Sequence, residues 1–409
     1  MKIALLHYSY PPIIGGVETV LEHHASRLAD RGHEVRILCA SGECNQSKAT
    51  LVCIPEMGAN HPLTKAAQQE ILTGEAGCQF IALRDRLKAQ LIEHLQGIEL
   101  VFVHNLLTMP FNLACTEALR QIAAESGQTR FVSWVHDLAA INPDYAIPNR
   151  SPWNLLRQRL PHFEYVAVSE LRRGQFAKLT RAEGTLDGEC QVIPNGISAL
   201  DFLNLTPSVA QFASRHKILE RESVLLCPAR LLKRKNLELA LQIIAGLKTL
   251  SPAPASCACL ITGASDPHNS ESIAYANALR KKVVELNLED EVFFVSDFFA
   301  VTNPDLVSLY EVSDAVMYPS LQEGFGIPLL EAAVHRLPIF CSAIEPLKEM
   351  ALSNAILLDP AAPASDLAVT VKKVIKATST SRKDVLNRFS WEAIFANQIE
   401  PLLRETKRK

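Results

Sequence analysis

Short apolar segments with the character of buried strands alternate with amphipathic helices along the whole chain. In the first half, strands are predicted at KIALLHY, EVRILCA, ATLVCIP, LVFVHN, FVSWVHD, YVAVS and CQVIPN. In the second half, they are predicted at SVLLCPA, CACLITGA, VFFVS, AVMYPS, PIFCSA and AILLDP. Strands that alternate with helices form parallel sheets covered on both faces. The pattern therefore predicts an α/β protein with two doubly wound parallel-sheet domains.

The domain junction is predicted in the segment 196–222, which holds glycine, proline and charge but no clear strand. A chain of 409 residues has room for about two domains. We therefore predict an N-terminal domain over residues 1–196 and a C-terminal domain over residues 197–387. The last helix, about residues 388–409, has no following strand, and we expect it to pack back on the N-terminal domain.

Composition restricts the class of protein. The net charge of −3 argues against general nucleic-acid binding, which favours a basic surface. No apolar run reaches the roughly 18–20 residues of a membrane span, and the opening MKIALLHYSYPP reads as a strand, not a secretory signal. The ten cysteines form no C-x-x-C pair, so we expect reduced core cysteines. These features predict a cytoplasmic protein, and the basic KRK end leaves peripheral membrane contact open.

The stretch SLQEGFGIPLLEA, residues 320–332, predicts a ligand-binding turn. It follows a predicted buried strand and precedes a helix with Pro328 in its first turn. Open α/β sheets bind ligands at the carboxyl ends of their strands, and a helix start there favours anions. Glu323 and Glu331 are close to two helical turns apart, so we expect both carboxylates on one helix face. The alternative is a capped helix with Glu331 on its surface.

Two further loops contain glycines or cations after a predicted strand. HYSYPPIIGGVE places Gly15 and Gly16 just before a helix, where the backbone can approach a phosphate, although a plain tight turn fits as well. No G-x-G-x-x-G dinucleotide fingerprint occurs. CPARLLKRKN places Arg230 and Lys235 five residues apart, and their two cations suit a diphosphate. The alternative for this loop is a solvated basic turn.

Polar residues end two predicted strands of the first half. His136 and Asp137 follow FVSWV, and His104 and Asn105 follow LVFV. An imidazole at a strand end is able to bond a ligand hydroxyl or a developing charge. Two polar strand ends in one half of the chain indicate the wall of a cleft.

Taken in order, these loops resemble those of the retaining glycosyltransferases of family 4 (glycosyl transferases group 1, glycogen synthase-like). The resemblance rests on GGVE followed by LADRGHEV, on VIPNGIS at the junction, on Arg230 with Lys235, and on the Glu–seven residues–Glu element. It covers nearly the whole chain and implies two Rossmann-like domains facing a cleft (the GT-B fold). The chain departs from the family pattern at Ala229 and Asn236, where glycine is usual.

The resemblance also implies roles for individual residues. Glu323 would bond the donor sugar, Glu331 the ribose, and Arg230 with Lys235 the diphosphate. The implied catalytic set is His136, Glu323, Arg230 and Lys235. The implied donor-binding set is Gly15, Gly16, Arg230, Lys235, Asp297, Phe298, Glu323, Gly324, Phe325, Gly326, Ile327 and Glu331. The implied acceptor-side set is His104, Asn105, Asp137 and Arg150, the last in an arginine-containing segment that also suits a solvated loop.

The implied reaction is transfer of a hexose from a nucleotide sugar to an unidentified acceptor, with retention of anomeric configuration. UDP-glucose and GDP-mannose are both open as donors. No metal or other cofactor is expected, since two cations can neutralise the leaving diphosphate. The alternatives are a sugar-nucleotide epimerase or phosphorylase of the same fold, or a non-catalytic nucleotide-sugar-binding protein.

Overall fold

A computed structural model gives the fold and describes residues 1–44, 49–182, 189–251, 256–264 and 270–404. The chain divides into two compact units. The first unit is Met1–Gly196 together with Trp391–Lys409, and the second unit is Ile197–Ser390. The basic KRK end, for which peripheral membrane contact was considered, lies outside the described residues.

In the first unit, the described strands form one parallel sheet of seven strands in the order β3-β2-β1-β4-β5-β6-β7. The strands are β1 Lys2–Leu6, β2 Glu34–Cys39, β3 Ala49–Cys53, β4 Leu100–His104, β5 Arg130–Val135, β6 Phe163–Ala167 and β7 Cys190–Val192. The helices are α1 Gly16–Asp30, α2 Pro62–Thr73, α3 Cys78–Leu95, α4 Leu113–Glu125 and α5 Glu170–Ala182. The order reverses at β1, where Leu5 is in register with Ile37 on one side and Phe102 on the other.

In the second unit, the described strands form a parallel sheet of six strands in the order β10-β9-β8-β11-β12-β13. The strands are β8 Ser223–Cys227, β9 Cys257–Ile261, β10 Val292–Phe294, β11 Ala315–Tyr318, β12 Ile339–Ser342 and β13 Ala355–Leu358. The helices are α6 Ala199–Leu203, α7 Pro207–Arg215, α8 Leu237–Leu250, α9 Ser270–Glu285, α10 Asn303–Val312, α11 Ile327–Val334 and α12 Ala364–Phe389. The order reverses at β8, where Leu226 is in register with Val316 of β11 and Leu260 of β9.

The strands of both sheets are apolar on both faces because helices cover both faces. β4 (LVFVH) and β9 (CACLI) are buried at every position, as the central strands of covered parallel sheets are. All thirteen predicted strand segments contain a strand, and all described ladders are parallel, so the predicted fold class of two doubly wound domains is confirmed. The predicted cleft between the domains stays a prediction.

The chain after α12 packs on the sheet of the first unit. It forms α13 Trp391–Ile394, a π-helical turn Phe395–Ile399 and α14 Glu400–Arg404. Trp391 and Phe395 are buried in the same apolar cluster as Phe102 of β4. Arg27 of α1 forms an ion pair with Glu392 at 2.8 Å. The division between the units thus falls after Ser390, whereas the predicted boundary at residue 387 lies inside α12.

The junction segment 196–222 was predicted without strands, and its described structure is helical. It forms α6 and α7, and α7 buries Val209 and Phe212 in the core of the second unit. No helix among the described residues is long and apolar enough to cross a bilayer.

Gly196 allows the C-terminal segment to lie close to the end of the first unit. A Cβ atom on Gly196 would lie 2.3–2.8 Å from three atoms of the Trp391 indole, which is itself buried. In a packed core, neither the Trp391 indole nor the backbone at residue 196 can move without disturbing its neighbours. Glycine is therefore required at this position by the packing of Trp391.

We expect Gly196→Ala to lower the free energy of unfolding by about 1–3 kcal/mol, the usual result of overpacking a core. Urea unfolding followed by Trp fluorescence measures the change. The matched control is Gly174→Ala, on the exposed surface of α5, where a Cβ atom would meet nothing within 4 Å. Because alanine is the better helix former, that substitution should raise stability by up to about 1 kcal/mol. Equal effects of the two substitutions would contradict the packing argument.

Candidate active site

In the second unit, the loops after β8 and β11 flank the position where the strand order reverses. Open parallel sheets bind ligands outside the carboxyl ends of their strands at that position. The loop after β8 contains Arg230 and the 3-10 turn Lys233–Lys235, and the loop after β11 contains Glu323 and Gly326. The sheet order therefore brings the two loops that were predicted to bind the donor to the same edge of the sheet.

Glu323 is the centre of an ion-pair cluster that joins these two loops. Its carboxylate accepts a hydrogen bond from Lys235 Nζ, and its Oε2 lies 3.2 Å from Arg234 Nη1. Lys235 Nζ also donates to the hydroxyl of Tyr318 at 3.0 Å. The side chains of Glu323 and Lys235 are only 7% and 9% exposed. The pair is therefore almost fully shielded from water.

The surroundings of Glu323 keep its carboxyl group ionised. Burial opposes ionisation by desolvation, but the hydrogen bonds from Lys235, Ser320 and Tyr318 and the charge of Lys235 together outweigh it, so the pKa of Glu323 lies below its usual value. Desolvation and the neighbouring Glu323 raise the pKa of Tyr318, so its hydroxyl stays neutral. A buried carboxylate at a strand end is a strong acceptor for sugar hydroxyls.

The EGFG turn is shaped by Gly326, whose φ of +109° is in the region that favours glycine. Among the described residues, no acceptor is found for the amide groups of Phe325 and Gly326. Helix α11 begins only at Ile327, so Glu323 lies in the turn before it. The prediction that Glu323 and Glu331 share one helix face is therefore wrong, because the chain between them is not helical throughout.

Glu331, in α11, is held by a tyrosine. Its Oε2 accepts a hydrogen bond of 2.7 Å from the Tyr310 hydroxyl. Desolvation and this hydrogen bond raise the pKa of Tyr310, so the phenol remains the donor. The Tyr310 ring stacks on His335, with ring centres 4.9 Å apart. Glu331 is thus an oriented, half-buried carboxylate and not a free surface side chain.

Arg230 extends from an exposed position after β8. Its backbone is contacted by the loop after β9, since a Cβ atom on Gly263 would lie 2.1 Å from the Ala229 carbonyl oxygen and 2.4 Å from Arg230 Cα. At the end of β10, Asp297 forms an ion pair with Arg280 at 2.8 Å. The half-exposed Phe298 ring packs against His216, with ring centres 4.8 Å apart.

In the first unit, His136 lies at the end of β5 and contacts His104 at the end of β4. His104 Nδ1 is 3.1 Å from His136 Nε2, and the two rings are stacked. His104 is fully buried, whereas Asp137 is exposed and pairs with Arg172 at 3.4 Å. His104 therefore cannot touch an acceptor directly, contrary to its predicted acceptor-side position, and it supports His136 instead.

Asn105 organises the strand ends around His136. Its backbone is left-handed, with φ of +58°, a conformation that asparagine tolerates better than most residues. Its side-chain oxygen accepts from the amide groups of His136 at 3.0 Å and Asp137 at 3.1 Å. Its side-chain nitrogen lies 3.3 Å from Asp137 Oδ2. Asn105 thus fixes the turn that carries His136.

The loop after β1 and the start of α1 lie at the strand-order reversal of this sheet. Gly15 and Gly16 begin α1, and the side chain of Glu18 folds back over Gly15. The Glu18 carboxylate accepts from Ser9 Oγ at 2.5 Å and lies 3.7 Å from His7 Nε2. His7 Nδ1 in turn is 2.9 Å from the carbonyl oxygen of His104.

The electrostatic character of this cluster is set by burial. The close contact with His7 is the main cause that lowers the pKa of Glu18 to about 2, and the hydrogen bond from Ser9 adds to it. Desolvation and then the positive charge of His7 lower the pKa of His136 to about 3. Desolvation also lowers the pKa of His104 far below its usual value, and that of His24 to about 3. His136 is therefore neutral at physiological pH.

Arg150 has a structural use for its charge. Its Nη2 donates to the carbonyl oxygens of Ile71 at 3.1 Å and Leu72 at 2.7 Å, at the end of α2. Helix carbonyls in the last turn have no partner within the helix, and an arginine commonly satisfies them. These bonds favour a structural role for Arg150, and its contact with an acceptor stays a prediction.

Several residues around these sites were missed by the sequence reasoning. Glu18 stands inside the quoted GGVE motif, and the pattern of a glycine pair followed by a carboxylate was the available signal. Arg234 and Tyr318 adjoin predicted residues but have no signal of their own. The other missed residues are His7, Ser9, Gly263 and Tyr310.

Comparison with protein families matches both units. Residues 14–199 match the family described as Glycosyltransferase Family 4, and residues 210–388 match the family described as Glycosyl transferases group 1. The chain belongs to the family 4 glycosyltransferases. The recognition made from the loop sequences is therefore confirmed.

Individual relatives of this glycosyltransferase are distant or matched over short segments. An uncharacterized glycosyltransferase, MJ1607 of Methanocaldococcus jannaschii, is 24% identical over 96% of each chain. Mannosylglucosylglycerate synthase of Thermotoga maritima is 22% identical over 83% of this chain and 80% of that protein. The O-antigen chain mannosyltransferase RfbU of Salmonella typhimurium is 37% identical over 21% of this chain and 24% of its own length.

We expect the stability of this glycosyltransferase to fall as the pH is lowered from 7 to 5. His24 and His136 have folded pKa values of about 3, below the ordinary histidine value of 6.5 expected in an unfolded chain. Each contributes stability that is fully present above about pH 6.5 and is lost as the pH falls towards 3, by about 1.4 kcal/mol per pH unit. Urea unfolding between pH 5 and pH 8 measures the slope.

The variant His24→Phe tests the cause, because His24 is surrounded by Phe102, Trp134 and Phe395. It should reduce the slope below pH 6 by about 1.4 kcal/mol per pH unit. The control His162→Asn replaces an exposed histidine at a positive φ that asparagine accepts, and it should leave the slope unchanged. The same slope in His24→Phe as in the parent protein would contradict the assignment.

Proposed function

We propose that this glycosyltransferase transfers a hexose from a nucleotide sugar to an acceptor, with retention of anomeric configuration. The observation that carries the proposal is the buried ion pair between Glu323 and Lys235, which joins two strand-end loops at the point where the strand order reverses. A nucleotide sugar offers hydroxyl groups for the carboxylate and a diphosphate for the cations.

The donor would lie along the loops of the second unit. Arg230 and Lys235 are proposed to bind the diphosphate. The amide groups of Phe325 and Gly326 and the carboxylate of Glu323 would receive the sugar. The ribose hydroxyls would bond to Glu331, which Tyr310 holds in one orientation. Asp297 and Phe298 remain candidates for contact with the base.

In the first unit, His136 is proposed to stabilise the positive charge that develops at the anomeric carbon. A neutral imidazole suits that task better than a cation, and burial keeps His136 neutral. The contact with His104 positions the His136 ring, and the hydrogen bond from the His136 backbone amide to Asn105 fixes its backbone. His136 would act by its dipole and need not form a covalent bond.

Two routes lead to retention. A double displacement needs a carboxylate as nucleophile on the face opposite the leaving group, as in retaining glycosidases. Glu323 is engaged by Lys235 and Arg234, and both contacts lower its nucleophilicity. We therefore propose the alternative, in which the acceptor attacks from the same face that the diphosphate leaves. The leaving phosphate then takes the proton from the acceptor hydroxyl.

The donor is proposed to carry mannose. The sequence leaves UDP-glucose and GDP-mannose open, and the names of several relatives refer to transfer or incorporation of mannose. These relatives match over part of the chain or at low identity, so we use the proposed mannose donor only to decide which nucleotide sugar is tested first. A thermal-shift screen should begin with GDP-mannose, followed by UDP-glucose, because a ligand of the native state raises the melting temperature.

A cytoplasmic location is also proposed. All ten cysteines are free thiols in the structure, including Cys227 and Cys259, whose sulfur atoms are 3.6 Å apart. Free thiols at such proximity persist in reducing compartments.

We expect the product to keep the anomeric configuration of the donor, as read by proton NMR of the reaction mixture. Glu323→Gln should lower turnover by about 100-fold or more, equivalent to about 2.7 kcal/mol, without abolishing donor binding. Glu331→Gln should mainly weaken nucleotide affinity. His136→Ala should slow turnover while leaving nucleotide affinity nearly unchanged.

The outcomes separate this proposal from its rivals. An epimerase would change the donor without an acceptor, and a nucleotide-sugar-binding protein would show a thermal shift without turnover on any acceptor. A glycosyl group trapped on Glu323 would overturn the same-face route. An inverted product would overturn the assignment of a retaining enzyme.

We expect full activity in excess EDTA. We propose that Arg230 and Lys235 neutralise the charge on the leaving diphosphate, as a divalent ion does in other transferases. Initial rates with and without EDTA, and after addition of magnesium or manganese, measure the dependence. A rate lost on chelation and restored by either metal would show that the cations do not suffice.

A further inference from the structure

Arg234 is joined to the turn that carries Glu323 by three contacts. Its Nη1 donates to the carbonyl oxygen of Gln322 at 3.0 Å and lies 3.2 Å from Glu323 Oε2. Its own carbonyl oxygen accepts from the amide of Leu321 at 2.7 Å. The backbone contact remains after any substitution of Arg234, so the contribution of the guanidinium can be measured separately from the contact of the two loops.

The cluster has one carboxylate and two cations, and the cations differ in exposure. The side chain of Lys235 is 9% exposed, whereas that of Arg234 is 44% exposed. The excess positive charge matches an anionic ligand. A single guanidinium nitrogen, Nη1, contacts both the Gln322 carbonyl group and the Glu323 carboxylate, so it ties the carboxylate to the backbone of its own turn.

In the structure, Lys235 and Glu323 bind each other, although the donor requires both. A lysine that turns to a diphosphate removes a partner from a carboxylate that is 7% exposed. An unpaired charge at such a site is strongly unfavourable, so lysine and diphosphate could meet only if Glu323 kept another cation. Arg234 is the second cation in contact with Glu323.

We propose that Arg234 is a positioning residue that keeps Glu323 paired and oriented while Lys235 turns from Glu323 to the diphosphate of the donor. This inference rests on the proposed function. Because Arg234 stays paired with Glu323, Lys235 can leave Glu323 and bind phosphate oxygen atoms. Arg234 thereby sets how strongly Lys235 binds them.

The test is a double-mutant cycle on ligand affinity, with the full chain. Calorimetric titration with UDP, GDP and inorganic pyrophosphate is carried out on the parent protein, Arg234→Ala, Glu323→Gln and the double variant. Arg234→Ala should weaken binding about tenfold, within the usual range of coupling between contacting residues. In the Glu323→Gln background, where no buried carboxylate remains for Arg234 to pair with, the same substitution should weaken binding less than about threefold.

The matched control is Lys233→Ala, an exposed cation in the same turn. Lys233→Ala changes the net charge by the same amount as Arg234→Ala. If the loss of affinity on Arg234→Ala comes from its contact with Glu323 and not from net charge, Lys233→Ala should leave affinity nearly unchanged. Arg234→Lys keeps the charge but loses the planar guanidinium group. This variant should bind the three probes more weakly than the parent protein and more tightly than Arg234→Ala.

Equal losses on Arg234→Ala in both backgrounds would overturn the proposal and indicate direct contact of Arg234 with phosphate. No loss in either background would overturn it as well. Urea unfolding of the same four proteins without ligand measures the Arg234–Glu323 coupling independently of any nucleotide. If the folded parent protein bound none of the three probes, the donor assignment would fail, while absence of coupling in unfolding would refute the role of Arg234 by itself.

Discussion

Every described strand of both sheets runs parallel to its neighbours, and this constraint determines where chemistry can be placed. Parallel strands need crossover helices, which cover both faces of the sheet and leave its carboxyl edge as the place for polar loops. Each sheet reverses its strand order once, next to β1 in the first unit and next to β8 in the second. At the first reversal, Glu18 lies in the first turn of α1 and His104 ends β4. At the second reversal, Arg230 and Glu323 lie in the loops after β8 and β11.

The two units differ in the charge of the buried groups at these edges. In the second unit, Glu323 stays ionised in a buried position because cations compensate its desolvation. In the first unit, His136 and His104 are buried close together, and desolvation keeps both neutral. An ionic cluster suits a ligand whose charge is already present, whereas a neutral imidazole suits charge that appears only during reaction. The distinction agrees with the division of labour proposed for the two units.

The sequence predicted the fold better than the contacts of the site. Alternating apolar strands and amphipathic helices are local patterns, so all thirteen strand segments and their parallel arrangement were accessible from the chain alone. The position of Glu323 was also accessible, because EGFG lies between a strand and a helix. Its partner Arg234 was not, since that contact joins residues 89 positions apart. Helical spacing misled for Glu323 and Glu331 because the turn at Gly326 interrupts the helix.

The buried position of His104 illustrates the same limit. Its place at a strand end predicted exposure to a ligand, but α1 covers that end and places His24 against it. Which strand ends a helix covers depends on tertiary packing, and no periodicity in the sequence records it. The roles of Gly196 and Gly263 were hidden for the same reason, because each is required by a neighbour distant in sequence or by a loop of another strand.

The packing of Trp391 and Phe395 against β4 has a consequence for the order of events during synthesis. The second unit, Ile197–Ser390, is complete in sequence before the segment that completes the first unit leaves the ribosome. The first unit therefore waits, with the apolar surface around Phe102 uncovered, until the whole of the second has been made. Contacts of such long sequence separation form slowly, and exposed apolar surface invites association. We therefore expect the nascent chain to be most prone to association during this interval, although its N-terminal residues are made first.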